Sequence, residues 1–181
     1  MNSLTKSQKN LITEIDQIVE SAGLDYKNVE NLENEARIAI LRNIKDQVVR
    51  STIIMDYVLI DEHLCQIIIN YYFGSNSSSI KLWRTKKFKL FNYYILEKLY
   101  LVNKLDHAKE IINFPSGIIS KIKKINDLRN ALAHSFFPEN RRVTVSYENK
   151  SVYNLDGFKK YQNDVDEVMK FLAEKVWKVK I

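Results

Sequence analysis

Glycine, proline and cysteine are scarce in this chain: four, two and one among 181 residues. So little punctuation favours long helices over a many-stranded sheet with its frequent tight turns. The lone Cys65 excludes an internal disulfide framework and agrees with a reducing compartment. Its ordinary reading is a small hydrophobe on a helix. Only three histidines occur, and Glu62-His63-x-Cys65 spaces its ligands wrongly for one helix face, so neither a metal site nor a cofactor is expected. No glycine-rich phosphate loop is present, which argues against a nucleotide-hydrolysing engine. The most apolar stretch, Val48 to Phe73, is cut by Arg50, Asp56, Asp61, Glu62 and His63 and is no membrane span. The N-terminal apolar stripe carries Glu14, Asp16 and Glu20, unlike a signal peptide. These absences point to a cytoplasmic protein without membrane partners.

What remains is ordinary for a globular chain: 45% apolar and 28% charged residues. The length suits one domain with an appended segment. The expected division is an N-terminal helical segment, 1–46, whose packing stays open, and a helical bundle, 47–181. A net charge of +6 and a pI near 9.2 favour a polyanionic partner, with nucleic acid the first choice. The bland alternative is that the lysine excess serves solubility.

Leu11, Ile15, Ile18 and Ala22 fall at helical spacing, and Gly23 supplies a stop, giving a helix over about 5–22. Asp25 is placed to cap a second, over about 27–46, with the stripe Leu32, Ala36, Ile40, Ile44 and Val48. A third, about 47–73, is apolar around most of its circumference, as a central helix would be. Whether the second and third are continuous is left open. Gly74–Ser79 reads as a loop. Helical spacing through Phe88, Phe91, Ile95, Leu99 and Val102 predicts one helix over 85–105, followed by a short one over 106–112. Ser116 can cap a helix with the stripe Ile118, Ile122, Ile125, Leu128 and Leu132, closed by Pro138. Alternation in 142–147 and 151–153 around Glu148-Asn149-Lys150 predicts a small β-hairpin. Asp156 then caps a last helix carrying Phe158, Tyr161, Val165, Val168, Leu172, Val176 and Val179. The fold class is therefore mainly α: an up-down bundle of four to five core helices with a small β-hairpin before the last one.

The densest chemistry lies at Arg129-Asn130-Ala131-Leu132-Ala133-His134. At about 100° per residue, Arg129 at 0°, Ala133 at about 40°, Asn130 at about 100° and His134 at about 140° share one arc of the helix. A guanidinium that can grip a phosphate with two parallel hydrogen bonds thus neighbours an imidazole that titrates near neutrality. Asn130, four residues before His134, can fix the ring's tautomer. These are parts of a metal-free ribonuclease: a base removes the ribose 2′-hydroxyl proton, the oxygen attacks the phosphate, and an acid protonates the leaving 5′-oxygen. One histidine cannot supply both acid and base, so two copies across a two-fold axis are implied. In the bland reading, Arg129 pairs with an acidic neighbour and His134 bonds a helix-end carbonyl.

Leu128 to Ser135 resembles the Arg-polar-x-x-x-His signature of the HEPN superfamily, and the layout is similar too. A central helix carries Leu59-Ile60-Asp61-Glu62-His63-Leu64, and an FKLFNYYILEKL helix precedes the motif helix. The resemblance covers roughly residues 47–180, with the six-residue motif as its only specific part. It implies a helical bundle, homodimerisation through the motif face, and metal-independent endoribonuclease activity leaving 2′,3′-cyclic phosphate and 5′-hydroxyl ends. Arg129, Asn130 and His134 would be the catalytic residues, in a toxin–antitoxin or antiphage defence setting with an antitoxin or defence-system partner protein. Phe136 stands where one branch has a tyrosine, so neutralisation by modification of that residue does not carry over. Other members have lost catalysis, and a regulatory or binding dimer resembling the mannitol repressor is the alternative.

A second feature is Lys81-Leu-Trp83-Arg84-Thr-Lys86-Lys87-Phe88-Lys89, whose interleaved cations and aromatics suit RNA phosphates and stacked bases. The plainer reading is a solvated helix start whose Trp83 and Phe88 enter the core. Arg141 and Arg142 would extend a positive rim, and His107 is expected at the surface.

Overall fold

The computed structural model describes residues 5–24, 29, 32–74, 79–134 and 145–177; for His134 the description covers the backbone alone. The chain falls into two compact units, Met1–Val49 and Arg50–Ile181. The described elements are α1 (Lys6–Ser21), α2 (Asn34–Phe73), α3 (Ser79–Trp83), α4 (Lys86–Tyr94), a 3-10 turn (Leu96–Lys98), α5 (Leu101–Ile111), α6 (Ser116–His134), β1 (Ser146–Tyr147), β2 (Lys150–Ser151) and α7 (Leu155–Trp177). The protein is mainly α with one antiparallel hairpin before the last helix, and no described helix is long and apolar enough to cross a membrane.

In the first unit, α1 opens on a capping box: Gln8 N–H donates to the Thr5 hydroxyl at 3.3 Å and Thr5 N–H to the Gln8 side chain at 2.8 Å. These bonds satisfy two donors that a helix start leaves unpaired. The helix ends where expected, before Gly23 at φ +69°, a left-handed conformation that glycine adopts without a Cβ penalty. Ile12, Ile15 and Ile18 are exposed. Of the stripe expected for a second helix, Ile44 is buried, whereas Leu32, Ala36, Ile40 and Val48 are exposed. The predicted helices 27–46 and 47–73 are one, α2, since no glycine or proline interrupts its 40 residues. Asp25 and Pro138 lie outside the described residues.

The core of the second unit forms where Ile53, Ile60, Leu64 and Ile67 of α2, Leu101 and Leu105 of α5, Ile122, Ile125, Leu128 and Leu132 of α6, and Tyr161, Val165, Val168 and Leu172 of α7 are buried. Of the stripes that periodicity predicts in α6 and α7, Ile118 and Phe158 are half-buried, the other described positions are buried, and Val179 lies outside the described residues. The helix expected over 85–105 divides into α4, the 3-10 turn and α5, and the short helix expected over 106–112 is the end of α5. A straight helix would turn Ile95 and Leu99 inward. The break instead leaves Ile95 51% exposed and buries Leu96 (2%), Leu101 and Leu105, so core packing overrides the local stripe. Thr85 caps α4, accepting from Phe88 N–H at 3.2 Å.

The hairpin turns on two residues rather than three. Glu148 and Asn149 have φ of +48° and +65°, and Tyr147 pairs with Lys150, the handedness that matches strand twist in a two-residue turn. α7 begins at Leu155, one residue before the expected cap, which leaves Asp156 in its first turn, where a carboxylate complements the helix dipole. Beneath the hairpin, Tyr147 donates to Asp164 at 2.9 Å, and Asp164 pairs with Lys121 at 2.9 Å. Burial works to raise the Asp164 pKa, but the bonds from Lys121 and Tyr147 outweigh it and hold the carboxyl below its ordinary range. Gly157 seats α7 against this hairpin: a Cβ there would meet the Ser151 carbonyl oxygen at 2.1 Å. Gly157→Ala should therefore destabilise by about 2 kcal/mol through overpacking, despite the roughly 1 kcal/mol by which alanine favours a helix. Urea denaturation followed by circular dichroism measures this, and an unchanged or raised midpoint would refute the close-approach argument.

Candidate functional site

Three side chains on one stripe of α2 face the motif helix and α5. Arg50, Tyr57 and Asp61 are seven and four residues apart, which at helical spacing keeps them within about 40° of one another. Arg50 Nη1 donates to the Leu132 carbonyl at 2.8 Å, capping one of the last four carbonyls of α6, which the helix itself leaves unpaired. Tyr57 presents its ring to Arg129, whose guanidinium carbon sits 5.0 Å from the ring centroid, within cation–π range. Asp61 accepts from Lys104 of α5 at 2.6 Å.

Arg129 is partly buried and its Nη1 donates to Asn130 Oδ1 at 3.3 Å. Among the described residues no carboxylate pairs with it. An aromatic face and an amide therefore orient this guanidinium without neutralising it, which leaves its charge available to an anion. The acidic partner of the bland reading is not found among the described residues. Asn130 meets Arg129 through its carbonyl, a contact that the expectation of an Asn130–His134 pairing did not include. The α6 backbone places His134 in its last turn, while the His134 side chain, Phe136, Arg141 and Arg142 lie outside the described residues.

Burial pushes the Tyr57 phenol above its ordinary pKa, with the charge of Asp61 adding and those of Arg129 and Lys104 opposing. For Lys104, burial works against the ammonium, but bonding to Asp61 and the proximity of Cys65 more than offset it, and its pKa is raised. Cys65 is buried beside this pair and its thiol is pushed up to about 11, chiefly by burial, so it is protonated and a poor nucleophile near neutrality. His63 lies apart from it, its Nδ1 donating to the Leu59 carbonyl at 2.7 Å. Among the described residues no three His, Cys, Asp or Glu side chains gather as a metal site would require.

The basic segment lies elsewhere. Lys81, Arg84, Lys86 and Lys87 are exposed, Trp83 is 41% exposed and Phe88 is buried. Trp83 packs edge-on against Phe88 at 5.1 Å and against Tyr93 at 6.2 Å, and Lys87 lies over Phe73 at 5.6 Å. No hydrogen bond, ion pair or ring contact among the described residues ties this segment to Arg129 or Asn130. His107 is exposed, as expected.

The chain matches no known protein family, no curated protein and no solved structure. The site therefore rests on its own geometry. Arg50 and Tyr57 belong to it although neither lies in the motif, and Arg50 stood out in the sequence only as an interruption of an apolar run. That interruption was the signal, because a charged residue inside a mostly apolar helix needs a partner to accept or neutralise it.

The Asp61–Lys104 pair gives a direct test of this arrangement. Lys104→Met should cost about 3 kcal/mol by leaving Asp61 partly buried and unpaired, and Asp61→Leu in the same chain should restore much of it. Urea midpoints of the two single variants and the double one measure the coupling; strictly additive losses would contradict it.

Proposed function

We propose that this chain is a metal-independent endoribonuclease of HEPN type that acts as a homodimer in a toxin–antitoxin or antiphage setting. The observation that carries the proposal is Arg129: a partly buried guanidinium held by Tyr57 and Asn130, with no carboxylate among the described residues to neutralise it, five residues before His134 on the same helix. Such a group binds the scissile phosphate and stabilises the charge that develops on it. His134 exchanges the proton with the 2′-hydroxyl or the leaving oxygen. The net charge of +6 favours an RNA partner.

A second observation supports the dimer. Ile54, Met55, Val58 and Leu59 remain 42–56% exposed on α2, and at helical spacing they share an arc of about 140°. Ile54 lies about 60° from Tyr57 around the same helix, so this apolar patch borders the ring that carries Arg129. A second copy seated on it would bring two motif helices together and supply the second histidine.

Purified protein should cleave RNA in EDTA, leaving 2′,3′-cyclic phosphate ends. His134→Ala should reduce the rate by about 10²–10⁴ and Arg129→Ala by about 10² or more, with Asn130→Ala milder and circular dichroism unchanged in all three. An inactive wild type, or a His134 variant as active as wild type, would overturn the nuclease reading and favour the regulatory dimer.

Sedimentation velocity tests the assembly separately. Wild type should be dimeric at micromolar concentration, whereas a Met55→Glu, Val58→Glu variant should be monomeric and should lose cleavage. A folded monomeric wild type that still cleaves would contradict the shared-site proposal.

A further inference from the structure

Within the second unit, a cavity of about 730 Å³ opens between α2, the α3–α4 segment, the 3-10 turn, α5 and the end of α7. Its volume falls in the range of small-molecule sites, about 300–1,000 Å³. Its chemistry contrasts with the basic chain around it. Three carboxylates line it, Asp61, Glu62 and Glu97, against one ammonium, Lys104, which is already committed to Asp61 at 2.6 Å. Glu62 comes from α2 and Glu97 from the 3-10 turn, so the charges left over stand on different walls. Glu97 accepts from the buried Asn92 amide at 2.5 Å, a neutral donor that orients the carboxylate without cancelling its charge. Among the described residues no lysine or arginine pairs with Glu62 or Glu97.

The remaining walls are aromatic. Both tryptophans of the chain, Trp83 and Trp177, line the cavity, 41% and 64% exposed, with Phe88 behind Trp83. Indole faces attract organic cations and cover apolar stems. Among the described residues no three His, Cys, Asp or Glu side chains cluster here as a bare metal ion would need. A phosphate-bearing ligand would meet a surplus of negative charge.

We propose that this cavity binds an organic polycation of the polyamine class, whose ammonium groups pair with Glu62 and Glu97 while its methylene stem lies along Trp83 and Trp177. The site is independent of the nuclease proposal, since its readout is binding and not RNA cleavage.

Because both tryptophans line the cavity, their emission reports its occupancy. Titration of the full chain with spermidine should give a saturable change in tryptophan fluorescence that weakens as sodium chloride is added. Glu62→Gln and Glu97→Gln replace exposed side chains with neutral isosteres; each should raise the spermidine Kd about fivefold, as expected for one partly exposed ion pair, with unchanged circular dichroism. Magnesium chloride at matched ionic strength and AMP should leave the emission unaltered. The absence of a saturable spermidine response, an equal response to magnesium, binding of AMP in place of spermidine, or wild-type affinity in both variants would each overturn the proposal.

Discussion

A helix that is apolar around most of its circumference cannot leave a charged group in its buried stripe unanswered, and in the second unit α2 carries four polar side chains facing its neighbours. Each is answered from a neighbouring helix. Arg50 takes the Leu132 carbonyl of α6, Asp56 accepts from Tyr161 at 2.8 Å and Gln162 at 3.0 Å on α7, Tyr57 lies against Arg129 of α6, and Asp61 pairs with Lys104 of α5. Apolar contact is non-directional and would tolerate a helix sliding by a turn; these bonds would not, because a slip strands a partly buried polar group at a cost of about 1 kcal/mol. Three helices are thereby set in register against α2.

The candidate site follows from that register. A slide of α6 by one turn, about 5.4 Å, would carry Arg129 away from the Tyr57 ring. Held where it is, Arg129 meets the Tyr57 ring and the Asn130 amide and no described carboxylate. The same α2 stripe continues into Asp61, which begins the wall of the acidic cavity, so the basic motif and the acidic, aromatic cavity are neighbouring consequences of one helix's polar interruptions. The hairpin side is fixed by a separate set of bonds. Asp164 is buried at 3% exposure and bridges Tyr147 and Lys121, Lys124 pairs with Glu148, and Gly157 lets α7 approach the Ser151 carbonyl. Burial and the neighbouring carboxylates Asp164 and Asp56 push the Tyr147 and Tyr161 phenols far above their ordinary pKa, so both stay neutral donors.

Periodicity was a sound guide where a helix buries one face along its whole length. In α6 the expected Ile122, Ile125, Leu128 and Leu132 are all core, and in α7 Tyr161, Val165, Val168, Leu172 and Val176 are. It misled where two overlapping stripes compete. Between Phe88 and Leu105 the pattern Ile95–Leu99–Val102 is as regular as any in the chain, yet no proline or glycine announces the break that exchanges it for Leu96, Leu101 and Leu105. Likewise, the circumference of α2 is apolar enough to suggest complete burial, while Ile54, Met55, Val58 and Leu59 are exposed. Composition along a helix states how much of it can be buried, not how many neighbours there are to bury it.

The sequence by itself determined the helical class, the hairpin before the last helix, the α1 stop, and the placing of Arg129, Asn130 and His134 on one helix, because each depends on residues within a few positions of one another; the caps expected at Ser116 and Asp156 instead lie inside the first turns of α6 and α7. Only the tertiary structure decided that Arg129 rests on Tyr57, that Arg50 closes the end of α6, that Lys104 answers Asp61, and that Glu62, Glu97 and both tryptophans enclose one space. Those pairs are separated by up to 115 positions along the chain. Their meeting depends on how whole helices share a limited core, a property that no local spacing encodes.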